Sequence, residues 1–192
     1  MKAALREQMK QTRLAMSKAE VQRRSESIVA RLVELEVFQR AGSVMLYLPV
    51  RNEVDTTRVV ARCLNDGKAL VLPRMDYEQD GVVAHRVDDP ATQLVLGRMD
   101  LVEPDPAKTE VVSPAEIDLV VVPGLAFDRR GYRIGWGRGY YDAFLAVADA
   151  RAVRVGLAYE FQLVDAVEHD GHDVPMHTVV TEGTTVRCDD AR

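Results

Sequence analysis

Apolar residues recur at Val21, Ile28, Val29, Leu32, Val33 and Leu35, a spacing that lines one face of a helix. Ser17 and Glu20 stand ahead of them in the S-x-x-E order of a capping box, and Gly42 is placed to end the helix. The apolar runs then shorten. Residues 43–50, SVMLYLPV, predict a strand, Thr56 is a candidate N-cap for a helix over 57–65, and Asp66-Gly67 is its stop. Residues 69–73 predict a short buried strand, and the alternation over 82–87 a second-layer or edge strand. Residues 88–105 read mostly as loop. Residues 117–123, IDLVVVP, are apolar without alternation, which predicts a strand buried on both faces at the centre of a sheet. A helix over 140–150 and strands over 152–159 and 177–181 follow. At the other end, residues 2–16 predict a basic helix with Lys2, Arg6, Lys10 and Arg13 roughly along one face.

Helices alternating with short hydrophobic strands predict an α/β fold with a mostly parallel sheet flanked by helices, a Rossmann-like three-layer α/β/α arrangement. No repeat or low-complexity linker divides residues 1–192, so one domain is expected. A hydrophobic fraction of 47% with 29% charged residues is that of an ordinary globular protein. The net charge of −5 argues against a nucleic-acid partner, though not against a local basic pocket. No run reaches membrane-span length, and the N-terminus lacks the apolar core of a signal peptide. Cys63 and Cys188 lie far apart and form no metal-type pair. A reduced, cytoplasmic setting is expected, with no membrane partner.

Chemistry concentrates in residues 123–142, PGLAFDRRGYRIGWGRGYYD. Five of the twelve glycines fall here, interleaved with Arg129, Arg130, Arg133 and Arg138. Glycine is entropically costly to order, so this density needs a reason, and a loop that presents main-chain N–H groups to an anion supplies one. The stretch fails the dinucleotide fingerprint G-x-G-x-x-G, because Tyr140 stands at the third glycine. It fails the Walker A pattern too, since no Lys-Ser/Thr follows its glycines. Glu53, in the loop after the first strand, sits where open α/β folds bind ligands and either accepts a ligand's N–H groups or merely favours a helix start. The cations of the first helix either face solvent or reach toward a polyphosphate.

The order G-x-x-F-D-x-x-G-x-R-x-G-x-G-x-G-Y-Y-D resembles the signature of the 5-formyltetrahydrofolate cyclo-ligases, also called methenyltetrahydrofolate synthetases. It is carried by Gly124, Phe127, Asp128, Gly131, Arg133, Gly135, Gly137, Gly139, Tyr140, Tyr141 and Asp142. The opening Lys2 and Arg6, Tyr47-Leu48-Pro49 with Glu53, Leu72-Pro73-Arg74, Glu103-Pro104, residues 158–162 (AYEFQ) and residues 172–175 (HDVP) follow in the same order, so the resemblance covers nearly the whole chain.

This resemblance implies ATP as co-substrate, Mg2+, and conversion of 5-formyltetrahydrofolate to 5,10-methenyltetrahydrofolate, ADP and phosphate. By position it places Lys2, Arg6, Arg133, Ile134, Gly135, Trp136, Gly137, Arg138, Gly139, Tyr140 and Tyr141 at ATP. Leu48 and Glu53, with Trp136 and Tyr140, fall to the folate, Arg133 and Tyr140 to catalysis, and Asp142 and Asp173 to the metal. A carboxylate suits a pterin, which presents adjacent N–H donors. Tyr141 and Phe127 serve equally well as core. A monomer or weak dimer is expected. Trp136, Arg138 and His177 depart from the family pattern. The tract HDGHDVPMH, with His169, Asp170, His172, Asp173 and His177, matches no standard zinc spacing and reads as a polar loop carrying one magnesium ligand. A non-catalytic folate- or nucleotide-binding paralogue and a sugar-phosphate enzyme on a related scaffold are the competing readings.

Overall fold

A computed structural model describes residues 2–98, 101–148 and 152–188. In chain order, helices α1 (Lys2–Leu14), α2 (Lys18–Glu34) and α3 (Glu36–Arg40) precede strand β1 (Ser43–Met45). Helix α4 (Thr57–Asn65) leads into β2 (Ala69–Asp76), β3 (Gly81–Arg86), a short α5 (Pro90–Gln93), β4 (Leu94–Leu96), β5 (Val102–Pro104) and β6 (Glu110–Val111). Then come β7 (Leu119–Val122), β8 (Ala126–Asp128), β9 (Arg133–Ile134), α6 (Tyr140–Val147), β10 (Val153–Leu157), β11 (Leu163–Val164), β12 (Thr178–Val180) and β13 (Thr185–Arg187).

The main sheet has the order β13-β12-β10-β7-β1-β2-β3-β6. Its five inner strands, from β12 to β2, are parallel, with Val44 level with both Leu70 and Leu119. Beyond them β13 pairs antiparallel with β12, β3 with β2, and β6 with β3. Alternate residues of the buried strands face opposite layers, as the two-residue period of a strand requires. Val44, Leu70, Leu119, Val121 and Val155 pack with Ile28, Leu32, Phe38 and Val59 from α2, α3 and α4. Met45, Val71, Val120 and Val122 pack on the other face with Phe144 and Leu145 of α6 and with Phe127. The expected three layers are present.

Several boundaries differ from the sequence reading. The helix from Ser17 does not run to Gly42 but breaks at Leu35, whose extended ψ of 133° ends α2 and starts α3. The break lets Phe38 reach the core. Ser17 accepts the Glu20 N–H, yet the Glu20 carboxylate pairs with Arg24, so only half of the capping box forms. Thr56 does not cap α4. Its hydroxyl donates to the Tyr47 carbonyl, and Asp55 accepts the Thr57 N–H instead. The first strand stops at Met45, and β2 extends to Asp76 through pairing with β3. Within 88–105 the chain forms α5 and the β4–β5 hairpin rather than plain loop. The predicted helix over 140–150 ends at Val147, and 149–150 lie outside the described residues. No helix among the described residues is long and apolar enough to cross a membrane.

Candidate active site

The fully buried strand β7 delivers the chain to Gly124 at the carboxyl edge of the parallel strands. Phe127, in β8, lies so close to Gly124 and Gly156 that a β-carbon at either position would overlap its ring. Phe127 is therefore core, and those two glycines make room for it. β8 and β9 form a hairpin whose turn is knotted by Asp128. One carboxylate oxygen accepts the N–H groups of Arg130 and Tyr132, and the other accepts the Val167 N–H and the Arg130 guanidinium. Gly131 adopts φ 97° against the Met176 carbonyl, a place no β-carbon fits. This turn aims Arg133 at the 170s loop.

Arg133 is buried. Its Nη1 donates to the Val174 carbonyl at 2.9 Å, and its Nη2 lies 2.9 Å from Asp142 Oδ1. That same oxygen accepts the Val174 N–H at 3.1 Å. The guanidinium thus ties two expected site segments together instead of projecting as an open cation. Asp173, one residue before Val174, accepts the Lys2 ammonium at 3.2 Å. Asp142 and Asp173 are thereby held on adjoining segments, each beside a cation. Two carboxylates on adjoining segments suit Mg2+, which takes water and phosphate oxygens besides protein ligands and rarely an all-protein cage. Among the described residues no group of three or more His, Cys, Asp or Glu side chains gathers to hold a metal.

Helix α1 crosses this edge. Met9 and Leu5 pack on Leu125, Ala126 and Ile134, which fixes the helix against the β8–β9 hairpin. Arg6 donates from Nε to the Gly135 carbonyl at 3.0 Å, so both Lys2 and Arg6 reach the segments expected of them. Lys10 faces outward to Glu7. Arg13, on the same predicted basic face, is fully buried.

Glu53 is 5% exposed. It follows a turn in which Arg51 and Asn52 both take positive φ, at 49° and 58°. Such a turn costs energy for an arginine and persists only when its surroundings impose it. Here Asn52 donates from Nδ2 to the carbonyls of Arg13 and Met16, satisfying the end of α1, while Arg13 Nε donates back to the Arg51 carbonyl at 3.1 Å. The Tyr159 hydroxyl donates to the Glu53 carbonyl and the Tyr47 hydroxyl to that of Val54. At the carboxylate, Oε2 accepts the Val50 N–H at 3.2 Å. Oε1 accepts the Trp136 indole N–H at 3.3 Å and lies 3.6 Å from Arg13 Nη2. Burial pushes the Glu53 carboxyl above the ordinary range, opposed first by the Arg13 guanidinium and then by these N–H donors.

Trp136, an expected ATP and folate contact, therefore sits on the carboxylate expected to take the folate. The guanidinium groups of Arg13 and Arg51 lie 5.3 Å and 4.8 Å from its ring centroid. Leu48 is partly buried nearby in sequence, against the first core cluster. Of the remaining expected residues, the Ile134 side chain turns into the core and its carbonyl accepts the Leu125 N–H, so it is not a cleft side chain. Tyr141 packs on the second core cluster, where burial pushes its hydroxyl up. Tyr140 donates its hydroxyl to Asp80 at the β2–β3 turn, and Arg138 approaches both. Gly137 lies alongside the Arg6 guanidinium, and Gly139 is the N-cap of α6.

The histidine tract disperses. His169 stacks on Tyr132 with centroids 3.6 Å apart, His172 is exposed, and His177 turns toward Arg154. Burial and the Arg154 charge bring His177 down to about 4. The departure at His177 thus lies against the sheet edge. A cavity of about 650 Å³ opens between the β2–β3 and β4–β5 hairpins, lined in part by Arg74, Met75, His85 and Glu103. None of its lining residues comes from 123–142 or from the Glu53 turn, but it is bordered by the β2–β3 turn whose Asp80 accepts the Tyr140 hydroxyl.

These features define an α/β protein with an arginine-interleaved glycine loop and a buried carboxylate at one edge of a parallel sheet. Residues 1–182 match the model of the 5-formyltetrahydrofolate cyclo-ligase family, and the chain belongs to that family. It is 28% identical to a probable 5-formyltetrahydrofolate cyclo-ligase of Caenorhabditis elegans, with 98% of this chain and 96% of the relative covered. It is 30% identical to the 5-formyltetrahydrofolate cyclo-ligase of Mycolicibacterium smegmatis, over 94% of this chain and 93% of that one. The solved 5,10-methenyltetrahydrofolate synthetase of Aquifex aeolicus superposes with a TM-score of 0.86 at 36% identity, covering 100% of this chain and 94% of that one.

Proposed function

We propose that the protein converts 5-formyltetrahydrofolate to 5,10-methenyltetrahydrofolate, using ATP as co-substrate and Mg2+ as the metal, in the cytoplasm and as a monomer or weak dimer. The observation that carries this reading is the Trp136–Glu53 contact, which joins the glycine loop to the buried carboxylate. Phosphate-side and folate-side groups are then neighbours, as transfer between two substrates demands.

The ATP γ-phosphoryl group passes to the formyl oxygen and ADP leaves. The folate N10 attacks the activated formyl carbon, N10 loses its proton, and the phosphate departs as the new ring closes. Such a transfer asks the protein for positioning and charge stabilisation. Lys2, Arg6 and Arg138, with the main chain over 135–139, hold the phosphates. Lys2 exchanges Asp173 for phosphate as ATP arrives. Asp142 and Asp173 would hold Mg2+, which would supply charge neutralisation at the phosphates. Arg133 positions Asp142 and the 170s loop, and Tyr140 lies over the entrance. Glu53 accepts paired N–H groups of the pterin once Trp136 moves aside, with Leu48 beside it.

The test is to mix the protein with 5-formyltetrahydrofolate, Mg2+ and ATP and follow the near-ultraviolet absorbance of the methenyl product. Product that depends on both ATP and metal is expected. Tight folate binding without product, under any divalent metal, would make the protein a non-catalytic paralogue.

A further inference from the structure

Arg13 lies outside the residues that the family resemblance placed at either substrate, yet it is 1% exposed and charged. A guanidinium is kept charged even where it is buried, so such a position must be compensated. Two of its donors are: Nε bonds the Arg51 carbonyl and Nη1 the Gly124 carbonyl, both at 3.1 Å. Nη2 has no hydrogen-bond partner among the described residues and lies 3.6 Å from Glu53 Oε1. Arg13 therefore pins the Glu53 turn to the exit of β7 and holds the unspent N–H groups of Nη2 beside the carboxylate. It also stands toward the opposite end of α1 from Lys2, so one helix carries both Lys2 beside Asp173 and Arg13 beside Glu53.

We propose that Arg13 is a positioning residue for the folate: it holds Glu53 as a charged acceptor, in the orientation the pterin N–H groups require. The inference rests on the cyclo-ligase reading. A carboxyl buried to this degree without a cation protonates and loses its power to accept two N–H groups together. The other groups facing Glu53 do not replace Arg13. Arg51 is exposed on the turn itself and sits over Trp136. Tyr47 and Tyr141 bring only hydroxyls that burial holds neutral, and Tyr159 bonds the Glu53 carbonyl rather than its carboxylate. Val50 and Trp136 supply N–H dipoles without net charge. Arg13 is the full charge beside the carboxylate that lies buried with it.

The experiment is calorimetric titration of the full chain with 5-formyltetrahydrofolate, and separately with Mg-ATP, across the neutral and mildly alkaline range. Native affinity for the folate should fall as pH drops through the Glu53 titration. In Arg13→Met that fall should move up by about one pH unit or more, weakening binding by up to about tenfold on the acid side of the titration and recovering at alkaline pH. ATP affinity should stay within about threefold, because Lys2 and Arg6 are untouched. Arg13→Lys keeps the charge but drops two donors, and should shift the profile in the same direction by less. It serves as the probe if the methionine variant is recovered unfolded. In a Glu53→Gln background the profile should be flat and Arg13→Lys should add little. A folate profile parallel to the native one, or an equal loss of ATP affinity, would overturn the inference and leave Arg13 a packing residue. No saturable folate binding by the native chain would instead sink the cyclo-ligase reading, and this inference with it.

Discussion

Around Glu53 the main chain is tied down from behind, whereas around Trp136 it is nearly free of ties. The carbonyls of Arg51, Glu53 and Val54 are each held by a side chain from another element or strand end: Arg13, Tyr159 and Tyr47. Past the β8–β9 hairpin the glycine loop has the Arg6 bond to Gly135, the indole contact, and the exposed Tyr140–Arg138–Asp80 cluster. A β-carbon at Gly135 or Gly139 would meet nothing within 4 Å. On the proposed reading the folate side is built before substrate arrives, and the phosphate side would order around its ligand. Ordering a loop costs free energy that the ligand's contacts must offset, while a preformed carboxylate costs none at binding. A pterin bound as proposed would meet a tied acceptor, and the loop that covers that acceptor would be the part to move.

The largest effect should come from the residue that joins the mobile loop to its frame. Arg133→Ala leaves Asp142 without its buried cation and frees the Val174 carbonyl, so kcat should fall by about 10²–10³. Circular dichroism should show the fold retained, and the Mg2+ concentration for half-maximal rate should rise. Unchanged activity would remove Arg133 from the positioning of the metal pair. Glu53→Gln comes next, since a neutral amide replaces one acceptor oxygen with a donor. The folate KM should rise about 10- to 100-fold, with a much smaller change in the ATP KM. The reverse ratio would move Glu53 out of the folate pocket.

The frame was legible in the residues because its signals are local. The helical spacing of Ile28 and Leu32 in α2, the unbroken apolar run of β7 and the stop at Gly67 all follow from side-chain period and turn chemistry. Lys2, Arg6 and Glu53 stood out in the residues as candidates, and the structure brings Lys2 to the 170s loop, Arg6 to the glycine loop and Glu53 beneath Trp136. What stayed hidden depends on tertiary placement. Arg13 shares its spacing with solvent-facing Lys10, and only the packing of Met9 decides which of the two is buried. Asp128 reads as part of a motif, yet its job is set by Val167, which lies 39 positions later. The β4–β5 hairpin escaped notice because its strands are three residues each and are held by Arg74 on Glu103 from another element. Asp55 displaced Thr56 as the helix cap because the Thr56 hydroxyl was already committed to Tyr47.

A smaller effect isolates the rigid wall. Tyr47→Phe removes the hydroxyl that satisfies the buried Val54 carbonyl and should cost about 1–3 kcal/mol of stability in denaturant unfolding. The folate KM should rise with it, because the turn carrying Glu53 loses one of its ties. A loss of stability with no change in folate KM would show that the remaining ties suffice to hold Glu53.

The smallest effect is expected at the mobile wall, and it separates two roles for one side chain. Trp136 is 38% exposed on a glycine-flanked loop, and its indole N–H occupies the oxygen that the folate is to use. If the indole only covers Glu53, Trp136→Phe removes a competitor and keeps the ring near Arg13 and Arg51. The folate KM should then stay within about threefold of the native value, or fall, because one hydrogen bond to a charged group no longer has to be broken first. If the indole N–H instead passes to the substrate, the same variant should raise the folate KM by about tenfold. Trp136 is the only tryptophan of the chain, so native emission should change when 5-formyltetrahydrofolate binds and the indole leaves Glu53. Emission that is the same with and without saturating folate would mean that the indole stays in place, and the contrast between a fixed wall and a moving one would fail.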